Sequence, residues 1–522
     1  MKNKIKTILP ILLVLLSGLM AAWPLFQPGF IPTHDGEYHL IRFHEFETML
    51  KNGYWFPRWA PGLNSGYGVP LFNFNYPFPN YLGVFFHTLG FSLADSFKLT
   101  MATGYLAAIV FCFVWLSKLF PKSRAAAAAI LFAYVPYWFI DIYVRGSVGE
   151  ILALTFLMLS LAAIERGWVI IAALAVAGLI LSHNILALIF LPLITIYLLL
   201  TKPKYWWSIL AGLGIAAYFW LPALAEQKYV VGLNTVNYRD YFASIDQLLI
   251  PAWGSGLFGA NPADEMSVQI GIAPLMIFVI AAAVVLKDKA KKNIRAVFFI
   301  LLTIISIFLM LKSSLIFWQI IPLLSFTQYP WRFLSVLLPA AAFLAADLFA
   351  KFKKTWFICI TVFLAIYLAF SYTRPVIYGP RSDHYYLSRP NFTDGTNSLG
   401  NLFSTSWSPP KSIRPKYRAE FVYGKGEIIF MSMKPLSYIF WIVTETRSLV
   451  RLNVLYYPGW AVSVDGQNQV LDYHKDGTLD FWVNPGTHHV AASFNETPLR
   501  MSADIASVLS LFWLAAWTIL KK

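Results

Sequence analysis

Long apolar runs constrain this chain more than any other feature of its sequence. Stretches of about 20 residues with few charges recur from end to end, and a run of that length crosses a bilayer as a helix. We predict about twelve such spans by window reading. Since 58% of the residues are hydrophobic and only 13% are charged, the sequence predicts an α-helical polytopic membrane protein. The predicted cores are 7–26, 95–119, 125–140, 149–165, 167–182, 184–201, 205–223, 269–286, 293–311, 332–350, 354–371 and 501–520.

Basic residues outnumber acidic ones, with 41 Lys and Arg against 26 Asp and Glu. They cluster in the short gaps between the apolar runs, as in MKNKIK, PKSR, TKPK, KDKAKKN and KFKK. Cytoplasmic loops of membrane proteins carry this bias. Alternating the spans from a cytoplasmic N-terminus puts every basic gap, and the C-terminal KK, on the cytoplasmic side. The excess of basic residues therefore indicates the membrane topology, with both termini cytoplasmic. We predict no nucleic-acid partner.

The same topology sends the long gaps to the outer side. Within a transmembrane domain at 1–371, these gaps are the loops 27–94, 141–149 and 224–268. The segment 372–499 is longer, and its stretches AEFVYG, GEIIFMSM and GTLDFWVNPGTHHVAASF alternate apolar and polar residues between turn signals. Short strands at this spacing predict an extracytoplasmic β-sandwich domain. It precedes a last transmembrane helix within 500–522.

The first outer loop concentrates titratable residues in THDGEYHLIRFHEF, residues 33–46. From Asp35 onward the apolar positions recur at helical spacing, which predicts an amphipathic helix lying in the membrane interface. Asp35 stands at its start and Glu37 two residues on. The carboxylate of Asp35 is either a helix cap or a functional acid. His44 and Glu45 are predicted to lie on the solvated surface of this helix.

Three further motifs on the predicted outer side carry ionisable groups at the ends of spans. YVRGSVGE contributes Arg145 and Glu150, LSHN contributes His183, and YPWRF contributes Arg332. An ionisable group at a span end is a candidate functional residue, although an arginine there can snorkel and a histidine can simply pack. Arginine suits a phosphate because its planar fork offers paired donors. Together these residues suit one outer cavity for an anionic lipid head group and a hydroxyl acceptor.

The motifs HDGEYHLIRF, GYGVPLFNFNYPFPNYLG, YVRGSVGE, LSHN, YPWRF and LNVLYYPGWAVSVDG, taken in order, resemble a bacterial family of polytopic proteins. Its members are labelled 6-pyruvoyl-tetrahydropterin synthase-related membrane proteins and are similar to YfhO-type proteins. That group resembles the GT-C superfamily of membrane glycosyltransferases. The resemblance implies a GT-C-like transmembrane domain in the bacterial plasma membrane.

The resemblance also implies a reaction. GT-C enzymes take sugar from a polyprenyl phosphate and carry a carboxylate in the first outer loop, a position that Asp35 matches, with Glu37 completing a D-x-E arrangement. Asp35 would act as general base in an inverting transfer to an extracytoplasmic acceptor, which is a cell-envelope glycan, a lipid or a protein. Asp35, Glu37 and His39 are candidate ligands for a divalent metal ion. The candidate residues for binding the lipid phosphate or the sugar are Arg58, Arg145, Glu150, His183 and Arg332.

Two other functions remain open at this point. A transporter or flippase of lipid-linked saccharides would also need about twelve spans, although the chain shows no paired repeat. A non-catalytic scaffold of the cell envelope would use its β-domain to bind partners. In that domain Tyr457 and Trp460 are either acceptor-binding aromatics or ordinary core residues.

Overall fold

The structure is a computed structural model, and it describes residues 2–232, 236–259, 264–287, 293–352, 354–389, 392–395, 401–408 and 411–520. It is mostly helical, with two β-sheets near the C-terminus. The α-helices in chain order are α1 (Lys2–Ala22), α2 (Gly36–Lys51), α3 (Leu71–Phe74), α4 (Phe78–Thr88), α5 (Leu93–Leu119), α6 (Lys122–Ala133), α7 (Pro136–Phe139), α8 (Val148–Arg166), α9 (Val169–Ser182), α10 (Asn184–Thr201), α11 (Trp207–Ile215), α12 (Ala217–Glu226), α13 (Ile245–Leu249), α14 (Ile272–Lys287), α15 (Ile294–Met310), α16 (Leu315–Ile320), α17 (Pro322–Ser325), α18 (Leu334–Lys351), α19 (Thr355–Ala369), α20 (Asp383–Leu387) and α21 (Pro498–Leu520).

Apolar helices recur along the chain. Within the described residues, seven helices are long and apolar enough to cross a membrane, or up to nine if each of two bent pairs is one span. Three shorter apolar helices, α9, α14 and α15, coincide with further predicted cores. An apolar helix or helix pair thus lies at each of the twelve predicted positions. The chain is an integral membrane protein, as its sequence predicts.

Burial separates central spans from peripheral ones. In the apolar windows of α8 and of the segment that ends with α18, 89% and 94% of the residues are buried inside the protein. The corresponding share is only 17% for the span that contains α19 and 22% for α21. These peripheral helices expose apolar side chains, which in a membrane protein face lipid. The central helices carry the ionisable residues of the candidate site.

The helix predicted to lie in the membrane interface is instead packed inside the protein. The spacing predicts the start of α2 well, because the helix begins directly after Asp35. Most of its apolar stripe is buried, and Phe43 and Phe46 are fully so. However, its polar positions are also covered. Glu45 is only 3% exposed and accepts a hydrogen bond of 2.8 Å from the amide of Gly62, so its placement on a solvated surface is wrong. The loop that follows α2 folds back over this face.

The β-domain consists of two antiparallel sheets, as the alternating pattern predicts. The strands are β1 (Ala419–Tyr423), β2 (Gly426–Lys434), β3 (Ser437–Thr444), β4 (Ser448–Leu455), β5 (Trp460–Val464), β6 (Gln467–Asn468), β7 (Thr478–Val483) and β8 (Gly486–Phe494). One sheet has the order β1-β4-β7 and the other β2-β3-β8-β5-β6. Their inner faces share a core in which Phe440, Val450 and Phe481 are fully buried. Tyr457 and Trp460 are also buried, so they are core residues and not exposed binding aromatics.

Candidate functional site

Backbone hydrogen bonds join the start of α2 to the segment before α8. The amide of His34 donates to the carbonyl of Val144 at 3.0 Å, and the amide of Asp35 donates to that of Arg145 at 2.8 Å. Arg145 ends a short π-helical turn, Ile140–Arg145, an element often found at functional sites. Gly146 follows it with a φ of +66°, and a side chain there would overlap Thr33. The glycine therefore lets these two segments meet.

Glu150 lies at the centre of a buried polar cluster. It is fully buried, and one carboxylate oxygen accepts hydrogen bonds from Arg145 at 2.7 Å and from Arg332 at 3.0 Å. The other oxygen accepts from the hydroxyl of Tyr137 at 2.8 Å. The Nε2 atom of His183 lies 3.9 Å from the first oxygen. These residues, together with Asp141, are called the Glu150 cluster below.

The two arginines of the cluster are held by further contacts. Arg145 donates to Asp141 at 2.5 Å, and its guanidinium lies 4.8 Å from the ring centre of Trp331. The Nε of Arg332 donates to Glu150, and its Nη1 donates to the side-chain oxygen of Gln328 at 2.7 Å. Within the described part of the chain, Nη2 of Arg332 donates no hydrogen bond. Its two N–H groups are therefore available to a ligand.

His183 is fixed by the start of α10. Its Nδ1 accepts a hydrogen bond of 3.1 Å from the amide of Leu186, which caps the helix. An accepting Nδ1 carries no proton, so the proton of the neutral imidazole is on Nε2, the atom nearest Glu150. The ring also lies 4.8 Å, centre to centre, from the ring of Tyr76. His183 therefore both packs and points an N–H group toward the cluster.

Asp35 lies beside this cluster with its carboxylate unused. It occupies the N-cap position of α2 but makes no side-chain capping bond, so the capping alternative is not observed in this structure. It is half-buried, and among the described residues its carboxylate makes no hydrogen bond or ion pair.

Asp35 and the Glu150 cluster influence the same titratable side chains, so they lie near each other. Burial raises the pKa of Tyr76 to about 12; Arg42 opposes this rise, and the charges of Asp35 and Glu150 add to it. Burial also lowers the pKa of His39 well below its usual range, and Arg42 and His183 add to that effect. Asp35, Arg42 and His39 therefore belong to the same electrostatic environment. Arg42 and Tyr76 were not predicted from the sequence.

Two predicted site residues lie elsewhere. Glu37 is ion-paired with Arg381 and lies 3.9 Å from Arg389, on another side of α2. Arg58 donates to Glu496 and Asp504, each at 2.8 Å. Neither Glu37 nor Arg58 contacts the Glu150 cluster.

Arg58 belongs to a second polar cluster, which the sequence reading missed. The centre of this second cluster is Arg500. It is fully buried, and both its Nε and its Nη2 donate to Glu226 at 3.0 Å. Glu226 also accepts from the hydroxyl of Tyr457, at 2.9 Å, and from Asn73. These contacts tie the first loop and the end of α12 to the β-domain and to α21. The sequence signal for this second cluster is an acid, Glu226, and a base, Arg500, at the ends of two apolar runs that are far apart in the sequence.

The candidate metal ligands are not brought together. Among the described residues, no group of three or more His, Cys, Asp or Glu side chains is arranged to hold a metal ion. Glu37 turns toward Arg381, whereas His39 is buried on the side of Phe97, with ring centres 6.0 Å apart. The donor set of Asp35, Glu37 and His39 therefore does not fit a metal.

Fold and site together define an integral membrane protein with a buried arginine–carboxylate cluster and a C-terminal β-domain. No family model matches the chain, so the family labels given above remain predictions. An uncharacterized protein of Lactococcus lactis subsp. cremoris (strain MG1363) is 24% identical over 258 residues, which are 45% of this chain and 42% of that protein. The match thus spans less than half of that relative's length.

Two solved structures are similar in outline. Arabinofuranosyltransferase AftD from Mycobacteria has a TM-score of 0.47 and 14% identity, over 72% of this chain and 28% of that chain. ArnT from Cupriavidus metallidurans, solved with undecaprenyl phosphate, has a TM-score of 0.37 and 14% identity, over 69% of this chain and 62% of that chain. Likeness at this level assigns no activity to the chain.

Proposed function

We propose that this protein is a membrane glycosyltransferase that moves a sugar from a polyprenyl-phosphate donor to an extracytoplasmic acceptor. The observation that carries the proposal is the carboxylate of Asp35, which has no partner among the described residues and lies beside a cluster of buried arginines at the ends of membrane-spanning helices. A lipid-linked phosphate could reach such a site with its chain still in the bilayer. An acceptor hydroxyl needs a base at the same place.

The arginines supply the phosphate end of the site. Arg332 keeps two N–H groups unused in a buried environment, where a charge-assisted hydrogen bond is stronger than in water. Arg145 is held rigid between Asp141, Glu150 and Trp331. Donors fixed in advance stabilise the charge that develops on a leaving phosphate without reorganising during the reaction.

Asp35 supplies the base. In the proposed step the acceptor hydroxyl attacks the anomeric carbon from the face opposite the phosphate, and its proton passes to Asp35. The bond between the anomeric carbon and the phosphate oxygen breaks, its electron pair stays on that oxygen, and the configuration inverts. A general base has to lie within hydrogen-bond reach of the proton that it takes. A half-buried carboxylate without a partner meets this need better than Glu37, which is paired.

The test is Asp35→Asn in purified protein reconstituted into vesicles with a panel of radiolabelled polyprenyl-phosphate sugars. We expect transfer to fall at least about a hundredfold, the usual contribution of a general base, while the melting temperature stays within a few degrees. Asp95→Asn is the matched control, because Asp95, like Asp35, is a partly exposed aspartate at the start of a helix, but it pairs with Lys98. Glu37→Gln should lose less activity than Asp35→Asn.

The outcomes separate the rival functions. Transfer by Asp35→Asn at the wild-type rate would rule out Asp35 as the base. Movement of the lipid-linked sugar between leaflets without transfer would support the transporter hypothesis. A wild-type protein that neither transfers nor moves any donor of the panel would support the scaffold hypothesis.

A further inference from the structure

The β-domain has a cavity of about 1120 Å³ at one end of its two sheets. The turn between β1 and β2 forms one side, and the turn between β3 and β4 forms another. Trp482 of β7 completes the lining. This volume slightly exceeds the range of about 300–1,000 Å³ for small-molecule sites. The cavity is therefore large enough for several sugar units.

An aromatic row lies along this cavity. Leu449 pairs with Tyr423 on one side and with Trp482 on the other, so the three side chains form one row across the sheet β1-β4-β7. Tyr423 is 64% exposed and Trp482 44% exposed, and their ring centres are 6.0 Å apart. The next row inward, which contains Val450, is buried in the core. Two large aromatic rings are thus partly exposed next to each other on this sheet.

Charged groups of both signs surround the aromatic row. The guanidinium of Arg447 lies 4.9 Å from the ring centre of Trp482, and Lys425, Glu427 and Glu445 also line the cavity. All four charged side chains are exposed, and within the described residues none of them forms an ion pair. Two positive and two negative groups balance each other. This balance favours a neutral ligand with many hydroxyl groups over an anion such as nucleic acid.

The cavity lies at the end of the β-domain that is far from the membrane-spanning helices. At the other end, the amide of Leu455 donates to the carbonyl of Tyr67 in the first loop, at 3.0 Å. Strand β4 runs from Ser448, beside the cavity, to Leu455. Seven steps along a strand cover about 23 Å. A ligand in this cavity is therefore not a lipid head group in the membrane.

We infer that this cavity binds a neutral polysaccharide of the cell envelope. The ring faces of Trp482 and Tyr423 are electron-rich and suit the C–H faces of sugar rings. The unpaired charged groups around them can donate and accept hydrogen bonds with sugar hydroxyls. The inference rests on the proposed function in one respect, because it names a polymer as the acceptor class. A polymer held here could place its growing end near Asp35, whereas a single sugar could not.

The experiment measures binding and does not depend on transfer. The full chain, purified in detergent, is run by native affinity electrophoresis through gels that contain mannan, galactan, arabinan or neutral cell-wall polysaccharide. We expect the wild type to be retarded by at least one of them. Trp482→Ala and Tyr423→Ala should each weaken that binding about tenfold or more, because each removes an aromatic contact face. Both side chains are exposed, so the fold should persist.

Trp441→Ala is the matched control. Trp441 is an exposed tryptophan of the same domain, but it lies on β3 in the other sheet and does not line the cavity. Binding unchanged by Trp441→Ala and lost in both cavity variants would support the inference. Wild-type protein without retardation in any gel would overturn it, as would equal binding by the wild type and both cavity variants.

Asp35→Asn separates this inference from the proposed function. We expect Asp35→Asn to bind polysaccharide like the wild type while losing sugar transfer. Active Asp35→Asn together with normal binding would refute the general base but not the polysaccharide site. Normal transfer chemistry in a protein that binds no polysaccharide would refute the site alone.

Discussion

Replacing Glu150 by glutamine should destabilise the protein strongly, because Glu150 is the shared partner of two buried arginines. Its carboxylate is fully buried and accepts from Arg145 and Arg332 at 2.7 and 3.0 Å. Arg145 would keep Asp141, but Arg332 would lose its carboxylate partner. Removing one partner of a buried ion pair costs about 3–5 kcal/mol. We expect this loss in the free energy of unfolding of detergent-solubilised protein.

The same helix provides a matched control at its other end. Glu165 is also a buried carboxylate, and it accepts hydrogen bonds from Arg295 at 2.8 Å and from Tyr197 at 2.7 Å. The Arg295 side chain is 24% exposed, so water can solvate its charge after Glu165→Gln. We expect that variant to lose about 1–3 kcal/mol. The difference in unfolding free energy between the two variants measures how much the burial of Arg332 adds to the loss of stability.

A ligand should distinguish the two variants further. In Glu150→Gln the unpaired Arg332 can take a phosphate as its new counter-ion, and a ligand that binds only the folded state stabilises it. Added polyprenyl phosphate should therefore raise the unfolding free energy of Glu150→Gln more than that of the wild type or of Glu165→Gln. Equal stabilisation of all three proteins, or a loss below about 1 kcal/mol for Glu150→Gln, would refute this account of the cluster.

Two further predictions concern the first loop and Gly146, which packs against it. Burial raises the pKa of Glu45 from its ordinary 4.5 to about 7, so the folded state holds a proton that the unfolded state releases. Unfolding free energy should therefore fall by about 3 kcal/mol as the pH rises from about 4.5 to about 7, and Glu45→Gln should flatten that part of a melting-versus-pH curve. Gly146→Ala should cost about 1–2 kcal/mol for the left-handed backbone and more for the overlap with Thr33. Gly53→Ala should show the backbone cost alone, because Gly53 also has a positive φ but has open space around it. Melting temperatures of the two variants measure the difference.

The sequence predicts the fold well where the signal is local. Each apolar run is readable by itself, and the helical stripe that starts after Asp35 gives the bounds of α2. The strand β3 was missed because its exposed positions, Trp441 and Val443, are apolar like its buried ones. Alternation reveals a strand only when one face is polar. The burial of the polar side of α2 was missed for a related reason, since periodicity does not show what covers a polar face.

The candidate site was predictable only in part. Arg145, Glu150, His183 and Arg332 lie together because each stands at or near a helix end, and these helix ends meet in the fold. Glu37 follows Asp35 by two residues in the D-x-E pattern, but side chains two residues apart on a helix differ by about 200° in direction. Arg58 follows no periodicity at all. Its partners Glu496 and Asp504 lie more than 400 residues away along the chain, where no local pattern points to them.

The charge balance of the site bears on how the proposed reaction would proceed. A polyprenyl-phosphate sugar carries one negative charge and ionised Asp35 another. After transfer, the polyprenyl phosphate carries two and Asp35 none, so the total is the same. The charge moves from Asp35 toward the arginines, which stay fixed, and no counter-ion has to enter a buried site during the step. It follows that Asp35 must lose its proton before the next transfer, and that step needs a path to water, which its half-buried position provides.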